Sequence, residues 1–531
     1  MSEQLVQNVN DILTREERSK RRRARLPGLF MTAALLLLVL FFLWQLYRLK
    51  LLPTALFSGL AAVFLLLVLL VFVLSRDSRR RGRCLTALLL TLCLAAVSVA
   101  GTYVAVRFSD TIKAIFRHDA TETVVMQIYV RTDDPAASTA ELKGETLGIL
   151  LQIDRRATDE LLTSLSQTFG EKPNTLEYNS PAQLVGALTL GHVRAIIINE
   201  QFLSLISAES SDALHLRALH SQEVIIPATT EADASDGDPK PILPPAVTDP
   251  DTGETVEVPV DPDLPDDLLL NAEGNCFAAF ISGIDSRQGL ISRSRSDVNI
   301  IAAVNPDTRQ IVLISTPRDY YVLTPVSGNI KDKLTHAGNY GVEVARDTME
   351  MIYNMNIDYW FRVDFTGFVK IIDALDGVDI VSEADFSSGG YTFRKGTNHV
   401  DGAAALAFAR ERYALGGRDP IRGTHQMEIV RAALKKAASS QILSSWDELL
   451  SALSDSFEMN LPYEIIASIV RRQLTIGGEW NIVTYSVSGT DDMQTSFSLD
   501  EVKYVMNPDW DTIRHARKLI RDVFQGLTVS E

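Results

Sequence analysis

The stretch ALAFARERYALGGRDPIRGTHQ, residues 405–426, carries four arginines: Arg410, Arg412, Arg418 and Arg422. Arg410 and Arg412 would point to different sides of a helix, yet they share a face if the chain becomes extended after Ala409. Gly416 and Gly417 suit a break soon after. Asp419 followed by Pro420 reads as an N-cap with proline in the first helical position, starting a new helix. On that helix Arg422 and Gln426 lie four apart on one face, with Asp419 one turn before Arg422. Guanidinium forks, an amide donor and the positive end of a helix together form a seat for an anion. Arg418 does not fit this arrangement by spacing and reads as a solvated loop charge.

Three further stretches place charges where strands should end. GIDSR has Asp285 and Arg287 after an apolar run. SRSRSDV alternates Arg295 and Asp297, which face the same way in an extended chain. In STPRDYY, Pro317 stops a strand ladder, and Arg318 and Asp319 follow it. Singly these are surface charges worth about 0–1 kcal/mol as ion pairs. Together they suit a diphosphate with a divalent metal, because guanidinium groups grip phosphate oxygens in pairs while carboxylates hold magnesium against the same oxygens. Phosphoryl transfer is mostly positioning and charge stabilisation, so this inventory needs no cysteine or serine nucleophile.

The elements that must position these groups begin at a membrane. The chain has 531 residues, enough for two or three folded units, and a formal net charge of −16. That charge excludes general nucleic-acid binding, which requires a basic face. Three cysteines, Cys84, Cys93 and Cys276, make neither a disulfide framework nor a structural zinc site. Apolar runs at 29–47, 51–74 and 85–106 are each long enough to cross a hydrocarbon core of about 30 Å. Basic residues before the first run and at 76–83 place the N-terminus, residues 1–28, and the second connection in the cytoplasm. Everything after about Arg107 is then expected outside, where no nucleotide pool supplies phosphate.

Outside, residues 120–227 alternate strand-like and helical patterns, which predicts a small α/β layer fold with right-handed crossovers. Its motifs resemble one lobe of a periplasmic solute-binding protein. Residues 228–270 are rich in proline and acid and read as an extended spacer. DPDTGE within it lacks the full spacing of a calcium loop. From 271 to 531 two β-rich runs flank NPDTRQ and should pair as a hairpin, followed by helical patterns. An α/β fold, a mixed sheet covered by helices, is expected there.

GIDSR, RSD, STPRDYYV, VDFTGFVKIIDALDGVDI, VDGAAALAFARER and RDPIRGTHQ resemble the successive motifs of the LytR-CpsA-Psr family, over roughly 277 to the C-terminus. The resemblance implies a membrane-anchored phosphotransferase of the Gram-positive envelope. It would take a glycopolymer, such as teichoic acid or capsule, from a polyprenyl diphosphate carrier and join it to peptidoglycan. It makes Asp285 and Asp297 ligands of magnesium, with manganese as the alternative ion. It makes Arg295, Arg318, Arg410, Arg412, Arg422 and Gln426 diphosphate ligands, and puts Asp419 near the reacting centre. His425 stands where the family has arginine, Thr316 where it has an apolar residue, and Asp376 where it has glycine.

The expected reaction is attack by an acceptor hydroxyl on the sugar-bearing phosphate, with Asp419 or Asp319 as base and Arg318, Arg410 and Arg412 neutralising developing charge. The alternatives are a diphosphatase that hydrolyses the carrier and a non-catalytic sensor that binds lipid diphosphate. A polyprenyl tail needs an apolar slot, for which VEVARDTMEMIYNM and FTGFVKII offer stripes, although core packing explains those stripes equally.

Overall fold

The computed structural model describes residues 28–50, 52–75, 81–115, 121–209, 214–227, 247–248, 255–256, 270–272, 274–285, 293–411, 418–439 and 457–530, with some side chains at the edges of these ranges excluded. The basic N-terminus, nearly all of the acidic spacer with its DPDTGE motif, and Arg412 lie outside the described residues. By internal contacts the chain forms two units: Met1–Ala114 with Pro462–Gly478, and Ile115–Leu461 with Glu479–Glu531.

The first unit contains three helices long and apolar enough to cross a membrane: α1, Gly28–Arg48; α2, Thr54–Ser75; and α3, whose apolar part is Gly82–Arg107. Most of their leucines and valines are exposed, as lipid-facing side chains must be. A Cβ at Gly101 of α3 would stand 2.5 Å from the Phe42 ring of α1, so glycine sets the close approach of these two helices. Arg48 lies over Trp44 at 4.7 Å and Arg107 over Tyr103 at 5.6 Å, pairing cation with aromatic ring at the ends of two spans. Helix Tyr463–Ile476 belongs to this unit, and the Tyr463 hydroxyl donates to the Leu49 carbonyl.

The second unit contains two sheets. The first has β1 (Thr121–Arg131), β2 (Thr146–Leu150), β3 (Asn174–Tyr178), β4 (Ala195–Asn199) and β5 (Leu216–Pro227), in the order β3-β2-β4-β1-β5. Helices α4 (Arg155–Phe169), α5 (Pro181–Thr189) and α6 (Glu200–Glu209) cover it. Ala157, Leu161, Leu165 and Phe169 form the buried stripe of α4, which ends at Gly170 with φ +70°. Ser180 caps α5, accepting from Gln183 N, and Pro181 follows it in the first turn. The expected strands and helices all form. Strand β5, which pairs antiparallel along β1, was not foreseen.

After the short strands β6 (Val247–Thr248) and β7 (Thr255–Val256), the second sheet is built from β8 (Phe277–Ile284), β9 (Ser296–Asn305), β10 (Gln310–Ser315), β11 (Tyr359–Asp364), β12 (Phe457–Met459) and β13 (Asn481–Ser486), in the order β12-β11-β8-β9-β10-β13. β9 and β10 form the expected antiparallel hairpin. Asn305 shapes its turn by accepting from the backbone N–H groups of Asp307 and Thr308. On one face α7 (Leu334–Ala337), α8 (Val342–Tyr353) and helix Trp510–Phe524 bury the main core, with Phe280, Ile301, Val312, Met349 and Ile520 inside it. The stripe of α8 is therefore filled core and offers no tail slot. The other face carries α9 (Phe365–Ala374), α10 (Gly402–Arg410) and α11 (Arg418–Ala437), whose own core includes Ile372, Val378, Phe408 and Ile429. The fold is mixed α/β, as the sequence predicts.

Candidate functional site

The sheet delivers the first carboxylates. Asp285 follows the last residue of β8 and is exposed. β8 and β9 pair Gly283 with Val298 but Ile284 with Ser296, so Asp297 is the extra residue of a β-bulge. A bulge re-aims a side chain at a sheet edge. Here it brings the Asp297 carboxylate to the Arg318 guanidinium, with Nη1 donating at 2.8 Å, and to the Thr335 hydroxyl at 3.2 Å. Arg295 stands half-buried just before β9.

Pro317 ends β10, and Arg318 follows with its side chain 22% exposed. Asp319 lies 3.5 Å from Arg318 Nε and 3.5 Å from Lys333 Nζ, held between two cations. α11 then crosses the sheet over β10. A Cβ at Gly423 would stand 2.7 Å from the Ser315 hydroxyl, so this glycine lets the helix sit close. The approach carries Arg422, 6% exposed, to the Asp297 backbone carbonyl, which accepts from its Nη2 at 3.5 Å. Asp297, Arg318, Arg422 and Gln426 line a small, partly open cleft of about 10 Å³ with Ser315, Thr316 and Ser486. That is room for about one water.

Arg410 ends α10 and is exposed, with its guanidinium 4.9 Å from the Phe365 ring centre. α10 is started by Asp401, whose carboxylate accepts from Ala404 N at 2.8 Å. The chain turns extended at Glu411, one residue later than the spacing suggested. α11 begins at Arg418, so Asp419 lies in its first turn rather than capping it. Pro420 is tolerated there because first-turn N–H groups have no helical partner. The side chains of Arg418 and Asp419 are outside the described residues, as is Arg412.

His425 points away from the anion groups. It packs among Phe386 and Phe408, parallel to the first at 5.4 Å, and its Nδ1–H donates to the Phe408 carbonyl at 3.1 Å. Burial pushes its pKa below the ordinary value, so the ring is neutral and is core rather than a phosphate ligand. Thr316 has a partner too: its hydroxyl and that of Tyr353 are 2.8 Å apart. Asp376 takes φ +58°, which aspartate tolerates better than most side chains.

Sequence reasoning missed what α7 and the short strand before it contribute. Lys333 reaches Asp319, Thr335 reaches Asp297, and Asp332 is wholly buried. Burial works to raise the Asp332 carboxyl, but His336 at 2.8 Å and the Ser496 and Ser498 hydroxyls outweigh it and hold it below the usual range. The polar density of KDKLTHAGNY was the available signal, although only the fold shows which residues face inward.

For a divalent ion the donor chemistry fits. Asp285 and Asp297 leave the same end of adjacent strands. Among the described residues no cluster of three or more acidic, histidine or cysteine side chains forms. Magnesium is ordinarily held by one or two carboxylates, with phosphate oxygens and water completing its shell.

A model of the LytR_cpsA_psr family matches residues 253–509. The polyisoprenyl-teichoic acid–peptidoglycan teichoic acid transferase TagU of Enterococcus faecalis is 31% identical over 228 residues, covering 43% of this chain and 74% of that protein. The chain belongs to this family. Its similarity to TagT of Bacillus subtilis, named as the same transferase activity, is 32% over 197 residues, 35% of this chain and 60% of the relative. The crystal structure of B. subtilis TagV aligns over 48% of this chain and 98% of that one, at 25% identity and a TM-score of 0.40. Family membership accounts for the order in which the site motifs follow one another along the chain.

Proposed function

We propose that the protein is a membrane-anchored transferase that moves a glycopolymer from a polyprenyl diphosphate carrier to peptidoglycan, with the second unit outside the cytoplasm. The observation that carries this reading is the convergence of Asp297, Arg318 and Arg422 on one small, partly open cleft, in a family whose relatives are named teichoic acid transferases. Guanidinium groups and a metal-type carboxylate at one point suit a diphosphate, since anion binding alone gains nothing from the aspartates.

In this reading the Arg318–Asp297 ion pair is the resting partnership. An incoming diphosphate takes the Arg318 fork, which frees the Asp297 carboxylate; Asp285 and Asp297 are the residues that would hold magnesium. The metal neutralises phosphate charge when bound. Arg295, Arg422 and Gln426 bind the diphosphate, while Arg410 and Arg412 meet charge developing toward the leaving lipid phosphate. Asp319 is already engaged by two cations, which favours Asp419 as the acceptor of the attacking hydroxyl's proton. Ala279, Ile281, Phe361 and Val363 are half-buried on the sheet face opposite the main core, and this strip suits the polyprenyl tail. The test is an assay of the full chain with lipid-linked glycan and peptidoglycan fragments. Acceptor-linked product is expected, with Arg410→Ala and Asp297→Ala each reducing turnover about 10²–10³-fold. Turnover by either variant at the parent's rate would overturn the assignment.

A further inference from the structure

The lobe of residues 121–227 is not a free-standing attachment. Its core is continuous with the catalytic sheet unit: Leu184, Leu188, Phe202 and Leu205 of α5 and α6 pack in one cluster with Tyr340, Phe497 and Leu499. The Tyr340 ring lies 4.9 Å from that of Phe202, and its hydroxyl is 2.7 Å from the Ser498 hydroxyl. Tyr340 ends a buried turn, Gly338–Tyr340, that presses directly on the strand carrying the anion site. A Cβ at Gly338 would stand 2.4 Å from the Ser294 carbonyl and 2.6 Å from Ser296 N, on either side of Arg295.

A second hold comes from the other side. Asp154 precedes α4 in the position where an aspartate normally caps a helix, yet its side chain makes no cap bond. It turns instead to Arg293, forming an ion pair in which the Asp154 side chain is 2% exposed and that of Arg293 12%. Asn199, itself buried, donates to the other carboxylate oxygen at 3.2 Å, and Asp154 adopts φ +52°. An uncapped helix start and a left-handed aspartate are both local costs, accepted where the surrounding structure fixes them. What they achieve is to fasten Arg293, two residues before Arg295 and four before Asp297.

We propose that the lobe is a built-in clamp on the diphosphate-binding strand, and that Asp154 is a positioning residue acting through Arg293 on Arg295. This rests on the reading of Arg295 as a diphosphate ligand. Among the described residues the lobe contributes no group to the cleft; it sets where the strand enters it.

The test measures binding of farnesyl diphosphate with magnesium to the full chain in detergent, alongside thermal melting. Asp154→Asn keeps size and the Asn199 bond but loses the charge. It is expected to weaken binding about tenfold, the effect of a misplaced ligand on ground-state affinity. Charge reversal in Asp154→Arg with Arg293→Asp should recover part of that loss, and Asp154→Asn should add nothing on an Arg295→Ala background. A merely structural role predicts lowered melting with losses that add to Arg295→Ala; that result, or unchanged affinity in Asp154→Asn, overturns the clamp. Failure of the parent to bind farnesyl diphosphate would overturn the diphosphate reading and the clamp with it.

Discussion

Arg318 bridges two carboxylates of the candidate site, since it touches both Asp297 and Asp319. Replacing it by lysine keeps the charge but loses the planar fork, so Arg318→Lys is expected to retain the fold and lose about tenfold or more in turnover. His425 is the opposite case, a titratable side chain inside the site's sequence motif but outside its chemistry. Its folded pKa lies below the ordinary 6.5. As pH falls below 6.5 the unfolded chain takes up a proton that the folded ring resists, and stability is lost toward the lower folded value. His425→Phe should therefore leave turnover within about threefold of the parent while flattening the fall in melting temperature between pH 7 and 5, at the cost of about 1 kcal/mol for the lost imidazole bond to the Phe408 carbonyl, which keeps the Glu411 N–H. A large loss of transfer in this variant would put His425 back among the phosphate ligands.

At the level of elements, packing geometry decides where the arginines stand. α10 approaches α9 through Gly402, where a Cβ would lie 2.3 Å from the Val369 carbonyl. Backbone cannot yield as a flexible side chain can, so Gly402→Ala should cost about 1–3 kcal/mol and displace Arg410, seen as a lower melting temperature together with reduced turnover. α8 tests the core reading of its stripe. Burial raises the Glu350 carboxyl to about 7, against 4.5 in the unfolded chain, and its carboxylate accepts from Ile357 N at 2.6 Å. The stabilising contribution of the neutral form is complete below 4.5 and is lost as pH rises through about 7. Glu350→Gln, which keeps the acceptor, should melt higher than the parent at pH 8 by the equivalent of about 1–3 kcal/mol, with the difference vanishing near pH 4. Much at this scale was legible. The β9–β10 hairpin followed from NPDTRQ. The α8 stripe told which face is buried but not against what, because amphipathic spacing carries no record of the partner surface.

Over the whole molecule, the three apolar helices and the α/β order were readable because length and periodicity are local properties. Strand β5 pairing back along β1, the core shared between the lobe and Tyr340, and the grouping of Pro462–Gly478 with the membrane helices were not, since each depends on contacts far apart in sequence. The same holds for the site: Asp285, Arg295, Asp297 and Arg318 declare themselves by type at strand ends, whereas Thr335 and Lys333 enter through a connection whose path only the fold defines. On the proposed function, phosphate passes to an acceptor hydroxyl and not to water. It is tested most directly by running the reaction in ¹⁸O-water with lipid-linked glycan and peptidoglycan fragments, then weighing the phosphate products. Transfer predicts a phosphodiester on the acceptor and lipid monophosphate, neither containing ¹⁸O. Free sugar phosphate carrying ¹⁸O, with no acceptor-linked product, would contradict the account and make the protein a diphosphatase.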